Sequence, residues 1–135
     1  MEFKVYADRR NIACGVSIEL PEPFLVLECF LFEARPARYL DFLKAIAISK
    51  GCNTEKSGVR FQSELDWEDE ENGIFLNEHQ VYLFNHEFGD LVMEISDFKE
   101  IVIAFFRTYV EAQKTNTTLD PNHLASIGDQ LAKLE

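Results

Sequence analysis

A chain of 135 residues in which 47% are hydrophobic is long enough and apolar enough for one domain with a buried core, which excludes a disordered protein. Its net charge of −11 argues against binding to nucleic acid, because the phosphates would be repelled. No apolar run approaches the roughly 20 residues that a membrane-spanning helix needs, so we expect no association with a membrane.

The first third of the chain begins with strand signals. Residues 3–6 alternate between apolar and other side chains, and residues 12–20 carry an apolar side chain at every second position, which predicts a strand with one buried face. Pro21 ends this strand, because proline cannot donate to a strand ladder. Residues 24–34 are apolar on every side and fit either a buried helix or a central strand. Pro23 at the first turn slightly favours the helix.

The middle of the chain combines one clear helix with short strands. Residues 36–50 carry an apolar stripe at helical spacing, and Gly51 suits the positive φ that often ends a helix. A polar loop is expected next, at residues 52–58, and residues 59–63 then alternate as a short strand would. Three later apolar segments are separated by turn residues and predict an antiparallel meander. They are residues 74–76, 81–84 and 91–95.

Two helices are predicted at the C-terminal end. Asp97 would cap the first, with Glu100 three residues later completing a capping box. Asp120 and Pro121 would open the second, since proline at a first helical position loses no hydrogen bond. Strands and helices do not strictly alternate along the chain, which favours an α+β fold. We expect a single α+β domain over residues 1–135, with an antiparallel sheet of about four to six strands packed against three or four helices.

The negative charge is concentrated in residues 61–100, which contain twelve acidic residues and one base and so account for the whole net charge. Six of these carboxylates lie in residues 64–71. We expect a loop there because the charges repel one another, with Leu65 and Trp67 tucked against the body of the protein. A solvated loop that keeps the protein soluble is the simplest interpretation. An aromatic residue among the charges also fits a surface for a basic partner.

No motif for catalysis or cofactor binding stands out. The chain lacks a Gly-x-Ser-x-Gly turn, a phosphate-binding loop and a dinucleotide-binding fingerprint. Asp66, Glu68 and Glu70 alternate as in a calcium loop, but that loop needs Gly at its sixth position and Glu at its twelfth. Counted from Asp66, those positions hold Glu71 and Asn77. We therefore expect no catalytic residue, no metal and no other cofactor.

The cysteines and histidines carry no recognisable site. Three cysteines, an odd number without a Cys-x-x-Cys pair, are expected to be reduced and mostly packed in a cytoplasmic protein. His79 and His86 flank a predicted strand, where we expect solvated turn residues. His123 falls in the first turn of the last helix and is expected to be exposed.

An ordered series of motifs extends from the acidic segment to the long C-terminal helix: Phe61–Ile74, Glu87–Val92, Ile95-Ser96 and Phe98. Together they resemble the immunity proteins that neutralise ribonuclease toxins of bacterial contact-dependent growth inhibition. In that family an amphipathic helix precedes a Phe-x-x-x-Leu-Asp acidic segment, a Gly-hydrophobic strand, and a strand ending in Ser before an aromatic-rich helix. Residues 36–51, Gly73-Ile74 and residues 97–112 follow the same order here. The chain departs from the pattern in residues 1–20 and in a longer hairpin at residues 74–95.

The resemblance implies a cytoplasmic inhibitor of a cognate nuclease, without enzymatic activity of its own. Because such toxins are commonly basic, an acidic inhibitor would cover the toxin's active site or substrate groove. Trp67 would anchor the contact and the acids would steer and pair. The predicted partner-binding residues are Glu64, Asp66, Trp67, Glu68, Asp69, Glu70, Glu71, Glu78, Glu87 and Asp90. Two alternatives remain open: an acidic adaptor or chaperone-like module for a basic cellular protein, and a carboxylate-dependent metal hydrolase.

Overall fold

Two antiparallel sheets and five α-helices make up the computed structural model, which describes residues 2–135. The strands are β1 (Lys4–Ala7), β2 (Val16–Glu19), β3 (Cys52–Asn53), β4 (Ser57–Phe61), β5 (Gln80–Asn85) and β6 (Gly89–Glu94). The helices are α1 (Leu25–Glu33), α2 (Tyr39–Ala47), α3 (Trp67–Glu71), α4 (Ile95–Gln113) and α5 (Pro121–Leu134). The predicted α+β class is confirmed, with one helix more than expected and with β1 and β2 in a sheet of their own.

The larger sheet has the strand order β3-β4-β5-β6, and α1 and α4 pack against it. The hairpin of β1 and β2 packs against α4, and α5 packs against α2 and α4. The core side chains of the sheet include Val59, Val81 and Leu83, which are fully buried. Tyr39 adds edge-to-face contacts with Phe106 and Tyr109, whose ring centroids lie 4.7 and 4.9 Å away. Such pairs contribute about 0.5–1.5 kcal/mol each beyond the area they bury.

The helices follow the apolar pattern closely. Residues 25–33 form a helix, as the position of Pro23 favoured, and bury four side chains against the core. In α4 helical spacing predicts a buried stripe, which is buried except for the half-buried Val110, and Phe106 joins it. The stripe consists of Phe98, Ile101, Val102, Phe105, Tyr109 and Val110. Asp120 caps α5 by accepting a hydrogen bond from the Asn122 backbone N–H at 2.9 Å. Within residues 2–135, none of the helices has the combination of length and apolar character that crossing a membrane requires.

The strand predicted at residues 12–20 is wrong in its first half. Only residues 16–19 form a strand, and Ile12 is 96% exposed in the turn before it. The side chain of Asn11 holds this turn, donating to the Val16 carbonyl at 2.7 Å and accepting from the Ala13 N–H at 3.2 Å. Hydrogen bonds from an asparagine side chain thus replace the strand ladder that the alternating residues suggested.

Two predicted helix ends are also wrong. Helix α2 ends at Ala47, and Ser49 adopts the positive φ of 55° that follows the helix, so Gly51 does not cap it. Gly51 is needed for a different reason, because a Cβ there would lie 2.0 Å from the Val59 carbonyl oxygen. Helix α4 begins at Ile95, two residues before Asp97, so Asp97 and Glu100 form no capping box. The Ile95 N–H instead donates to the His79 carbonyl at 2.8 Å as the strand continues into the helix.

The meander lacks the first strand that the sequence predicted and gains β3 as an additional edge strand. Residues 74–76 form no strand, whereas Cys52–Asn53, placed in a loop by the sequence, pairs with β4. The later segments pair as expected, with Val81 opposite Met93 and Leu83 opposite Leu91. The antiparallel arrangement is therefore confirmed for four strands.

One carboxylate ties helix α1 to the larger sheet. Glu33, the last residue of α1, accepts hydrogen bonds from the Ser57 hydroxyl at 2.6 Å and the Asn85 side-chain amide at 2.9 Å. It also accepts from the Thr54 hydroxyl at 3.1 Å and the Lys56 N–H at 3.2 Å. Ser57 and Asn85 are the two buried polar side chains of residues 2–135, so Glu33 satisfies groups that water cannot reach.

We expect Glu33→Ala to lower the free energy of unfolding by roughly 2–4 kcal/mol, because four donors lose a charged acceptor and two of them are buried. Urea unfolding with an unchanged slope would measure the loss. The control is Glu22→Ala, an exposed residue for which a change within about 0.5 kcal/mol is expected. A loss below about 1 kcal/mol in Glu33→Ala would show that water replaces the carboxylate.

The two glycines at positions 51 and 128 should respond oppositely to alanine. Gly51→Ala forces the backbone apart near Val59 and is expected to destabilise by about 2 kcal/mol or more. Gly128 lies inside α5 with nothing within 4 Å of its added Cβ, so Gly128→Ala is expected to stabilise by about 0.5–1 kcal/mol. Thermal and urea unfolding of both variants test the pair, and equal effects would contradict the close approach at Gly51.

Candidate protein-binding surface

The acidic segment forms the short helix α3 instead of the predicted loop. Asp66 accepts a hydrogen bond from the Asp69 N–H at 3.1 Å, and Asp69 accepts one from the Asp66 N–H at 2.9 Å. This reciprocal cap satisfies two backbone donors of the first turn. Carboxylates in a first turn are also stabilised by the positive end of the helix dipole, which offsets their mutual repulsion.

The side chains of α3 point away from the core. None of its residues is buried, and Trp67 is 65% exposed, so the prediction that Trp67 tucks against the body is wrong. Leu65, just before the helix, is half-buried. Glu68, Glu70 and Glu71 are exposed, and none of them forms a side-chain hydrogen bond or ion pair within residues 2–135. Three free carboxylates thus share a short helix with one exposed indole.

Tyr82 lies where α3 meets the outer face of the larger sheet. Its neighbours along β5, Val81 and Leu83, face the core, so Tyr82 faces away from the helices. It is nevertheless only 8% exposed. Burial, then Asp90 and then Asp69 raise the pKa of Tyr82 above its ordinary value. The charges of a carboxylate on α3 and of one on β6 thus both act on the Tyr82 hydroxyl.

An aromatic row continues along the outer face from Tyr82. The ring of Phe84 lies 6.0 Å from that of Tyr82, and the Arg60 guanidinium lies 5.5 Å from the Phe84 centroid. Across the sheet, Tyr82 pairs with Val92, which is exposed, and Phe84 pairs with Asp90. The outer face thus joins apolar and charged groups beside α3.

Three of the ten predicted partner-binding residues do not belong to α3 or to the outer face of the sheet beside it. Glu64 accepts from the Gly51 N–H at 2.8 Å and the Phe61 N–H at 3.0 Å, so its carboxylate holds backbone in place. Glu87 pairs with Lys56 at 2.8 Å in the turn between β5 and β6. Glu78 lies beside His79 at 3.4 Å, before the start of β5. About 20 Å of strand separates Glu78 from Glu87.

The remaining seven predicted residues are placed on or near α3. Asp66 and Asp69 serve as the cap of α3, and four others lie on this helix. They are Trp67, Glu68, Glu70 and Glu71. Asp90 is related to α3 because it and Asp69 both raise the pKa of Tyr82. The sequence reasoning missed Tyr82, Arg60 and Val92, which the strand register brings together. The alternation of Tyr82 and Phe84 with buried neighbours was the available signal, but it does not reveal which residues lie opposite.

The histidines and cysteines form no site of their own. His79 and His86 are exposed turn residues, as predicted. His123 is half-buried instead of exposed, with its Nε2 atom 3.0 Å from the Tyr109 hydroxyl. The three cysteines are unpaired. In the part of the chain that the structure describes, residues 2–135, no three His, Cys, Asp or Glu side chains lie close enough together to hold a metal ion.

Comparison with protein-family models, with curated proteins and with solved structures gives no match to this chain. Its function is therefore inferred from the geometry of its own residues.

The convergence at Tyr82 can be tested by titration. Asp90 has the larger effect on the Tyr82 pKa, so Asp90→Asn should lower this pKa most and Asp69→Asn should lower it less. Glu87→Gln should leave the Tyr82 pKa unchanged. Carbon-13 NMR of the tyrosine Cζ atoms, followed from about pH 9 to the highest pH at which the protein stays folded, compares the pH at which the Tyr82 signal begins to shift, with Tyr82→Phe identifying that signal. The same onset in wild type and Asp69→Asn would remove α3 from the neighbourhood of Tyr82.

Proposed function

We propose that this chain is an immunity protein that binds a cognate basic nuclease toxin through the α3 surface, defined as Trp67, Glu68, Glu70, Glu71 and Asp90. The observation that carries the proposal is the composition of α3, which buries no residue and presents three free carboxylates and an exposed indole on one short helix. Packing of the core does not require these side chains, so they are free to contact a partner.

The α3 surface suits the recognition of a cationic protein. Closely spaced like charges raise the rate of encounter with an oppositely charged partner, by factors of about 10 to 1,000 in favourable cases. An aromatic side chain that becomes desolvated in the complex then slows dissociation. A nuclease must itself be positive where it holds phosphates, so an acidic surface that covers this region would compete with the RNA substrate.

The proposed contact surface contains fewer residues than the ten that the sequence predicted. Asp66 and Asp69 hold the helix cap, and Glu64 holds two backbone N–H groups, so these carboxylates support the surface from within. Glu87 already has a cationic partner in Lys56. In this role the protein acts in the cytoplasm, where an incoming toxin would reach its nucleic acid.

An acidic adaptor that binds a basic protein without inhibiting it would use the same surface. The activity of the partner distinguishes the two roles, because only an immunity protein abolishes it. The metal hydrolase receives no support from the geometry, since the acids of α3 and the nearby strands form no ligand cluster within residues 2–135. No second function is proposed.

The triple variant Glu68→Gln/Glu70→Gln/Glu71→Gln removes the free charges and leaves the Asp66–Asp69 cap intact. The binding partner to test is the product of the adjacent reading frame, where a cognate toxin is expected. We expect its association rate to fall about tenfold or more at low salt, and less at high salt, because screening already weakens the attraction. Stopped-flow or surface-based kinetics at two salt concentrations would measure the change.

The matched control removes the same charge elsewhere, with Glu22→Gln, Glu100→Gln and Asp129→Asn, three exposed residues outside the α3 surface. Association rates of the two triple variants that agree within a factor of about two would refute local steering. Trp67→Ala should mainly raise the dissociation rate. A complex that forms while the partner keeps its nuclease activity would replace the inhibitor with the adaptor.

A further inference from the structure

A cleft of about 630 Å³ opens on the side of the molecule where the helices lie, between two segments of the chain. One wall runs from the end of α1 through the 3-10 turn at Pro36–Arg38 into α2, and the other is the turn between β3 and β4. None of the ten predicted partner-binding residues lines it. Its volume falls in the range of small-molecule sites in proteins, which is about 300–1,000 Å³.

The cleft has an apolar base within a largely polar lining. Phe30 and Phe42 form its base with ring centroids 4.8 Å apart, and Phe32 stands at the rim with 44% of its surface exposed. Burial raises the pKa of the Cys52 thiol to about 12, so this side chain is neutral at physiological pH and extends the apolar wall. A flat hydrocarbon or aromatic body fits this apolar base.

Two guanidinium groups lie at one side of this interior. Arg35 precedes the 3-10 turn at Pro36–Arg38 and Arg38 ends it, and both side chains line the cleft. Within residues 2–135, Arg35 has no carboxylate within 4.0 Å, and Arg38 has only a loose contact with Asp41 at 3.9 Å. In a chain with a net charge of −11, these are cations left free beside an apolar site.

The other charges that line the cleft are mostly committed. Glu33 already accepts four hydrogen bonds, and Lys56 pairs with Glu87 at 2.8 Å. Glu55, in the turn between β3 and β4, is exposed on the opposite wall. Asp41 also lines the helical wall, 3.9 Å from Arg38, so an anion on that wall would be held mainly by Arg35, across the cleft from Glu55.

We propose that this cleft binds a small amphipathic carboxylate, with its apolar body against Phe30, Phe32 and Phe42 and its carboxylate on Arg35 and Arg38. Planar guanidinium groups match the geometry of a carboxylate, and the surrounding apolar wall strengthens the charge-assisted hydrogen bonds. The site shares no residue with the α3 surface, so a test of carboxylate binding does not decide whether the protein binds a toxin.

Three probes with the same apolar body test the proposal: 4-phenylbutyrate, 4-phenylbutanol and 4-phenylbutylamine. In titrations followed by two-dimensional NMR, the butyrate should shift the amide signals of residues 30–42 and 52–56, with affinity about tenfold higher than that of the alcohol. The amine should bind more weakly than the alcohol because the arginines repel it. Equal affinities for acid and alcohol, shifts confined to other residues, or no butyrate binding up to about 10 mM would each overturn the proposal.

The variant Arg35→Gln/Arg38→Gln separates the arginines from the apolar lining. It should lower the affinity for 4-phenylbutyrate about tenfold and leave that for 4-phenylbutanol unchanged, since both side chains are exposed and support no core packing. The charge-matched control, Arg9→Gln/Lys133→Gln, changes two exposed cations that do not line the cleft and should bind the butyrate as the wild type does. Equal losses in both variants would mean that net charge, and not this site, attracts the anion.

Discussion

The carboxylate of Glu33 is the contact on which the arrangement of this molecule depends. It joins the end of α1 to β4 and β5 through Ser57 and Asn85, and so fixes the helix against the sheet. The Asn85 side chain in turn accepts from the N–H groups of Glu87 and Phe88, which shapes the turn into β6. Through this chain of hydrogen bonds one helical residue positions the strand that carries Asp90. It also holds the Lys56 backbone, and with it the β3–β4 wall of the cleft.

Much of the fold could be predicted because periodic burial dominates it. Helices α2, α4 and α5 and strands β5 and β6 appear where the apolar pattern placed them, and α1 forms where Pro23 favoured a helix over a strand. Two of the errors occur where a short polar side chain captures nearby backbone. Asn11 converts a strand-like alternation into a turn, and the Asp66–Asp69 cap converts a repulsive segment into a helix. Such local hydrogen bonds offer the backbone an alternative to the hydrogen bonds of a helix or strand, so the spacing of apolar residues alone does not determine the structure of these segments.

The surface could be predicted only in part, since a sequence shows how many charges are present but not which are free. Glu64 and Glu87 look like Glu70 in the sequence, yet their partners lie 13 and 31 residues away and occupy them. The place of Asp90 beside Tyr82 depends on a strand register that pairs Phe84 with Asp90. Because these relations are tertiary, the composition identified the acidic region and the geometry reduced it to one helix and one neighbouring strand residue.

The free carboxylates of α3 and the two arginines of the cleft lie on different sides of the larger sheet. Glu68, Glu70 and Glu71 stand on the helix that meets its outer face, whereas Arg35 and Arg38 belong to the helical layer on its inner side. The field around the protein is therefore directional in spite of the large net charge. A cationic partner approaching from the arginine side meets local repulsion, and one approaching α3 meets attraction that grows as the distance falls below the Debye length of about 8 Å. Charge would thus orient the proposed basic partner toward α3 before close contact forms.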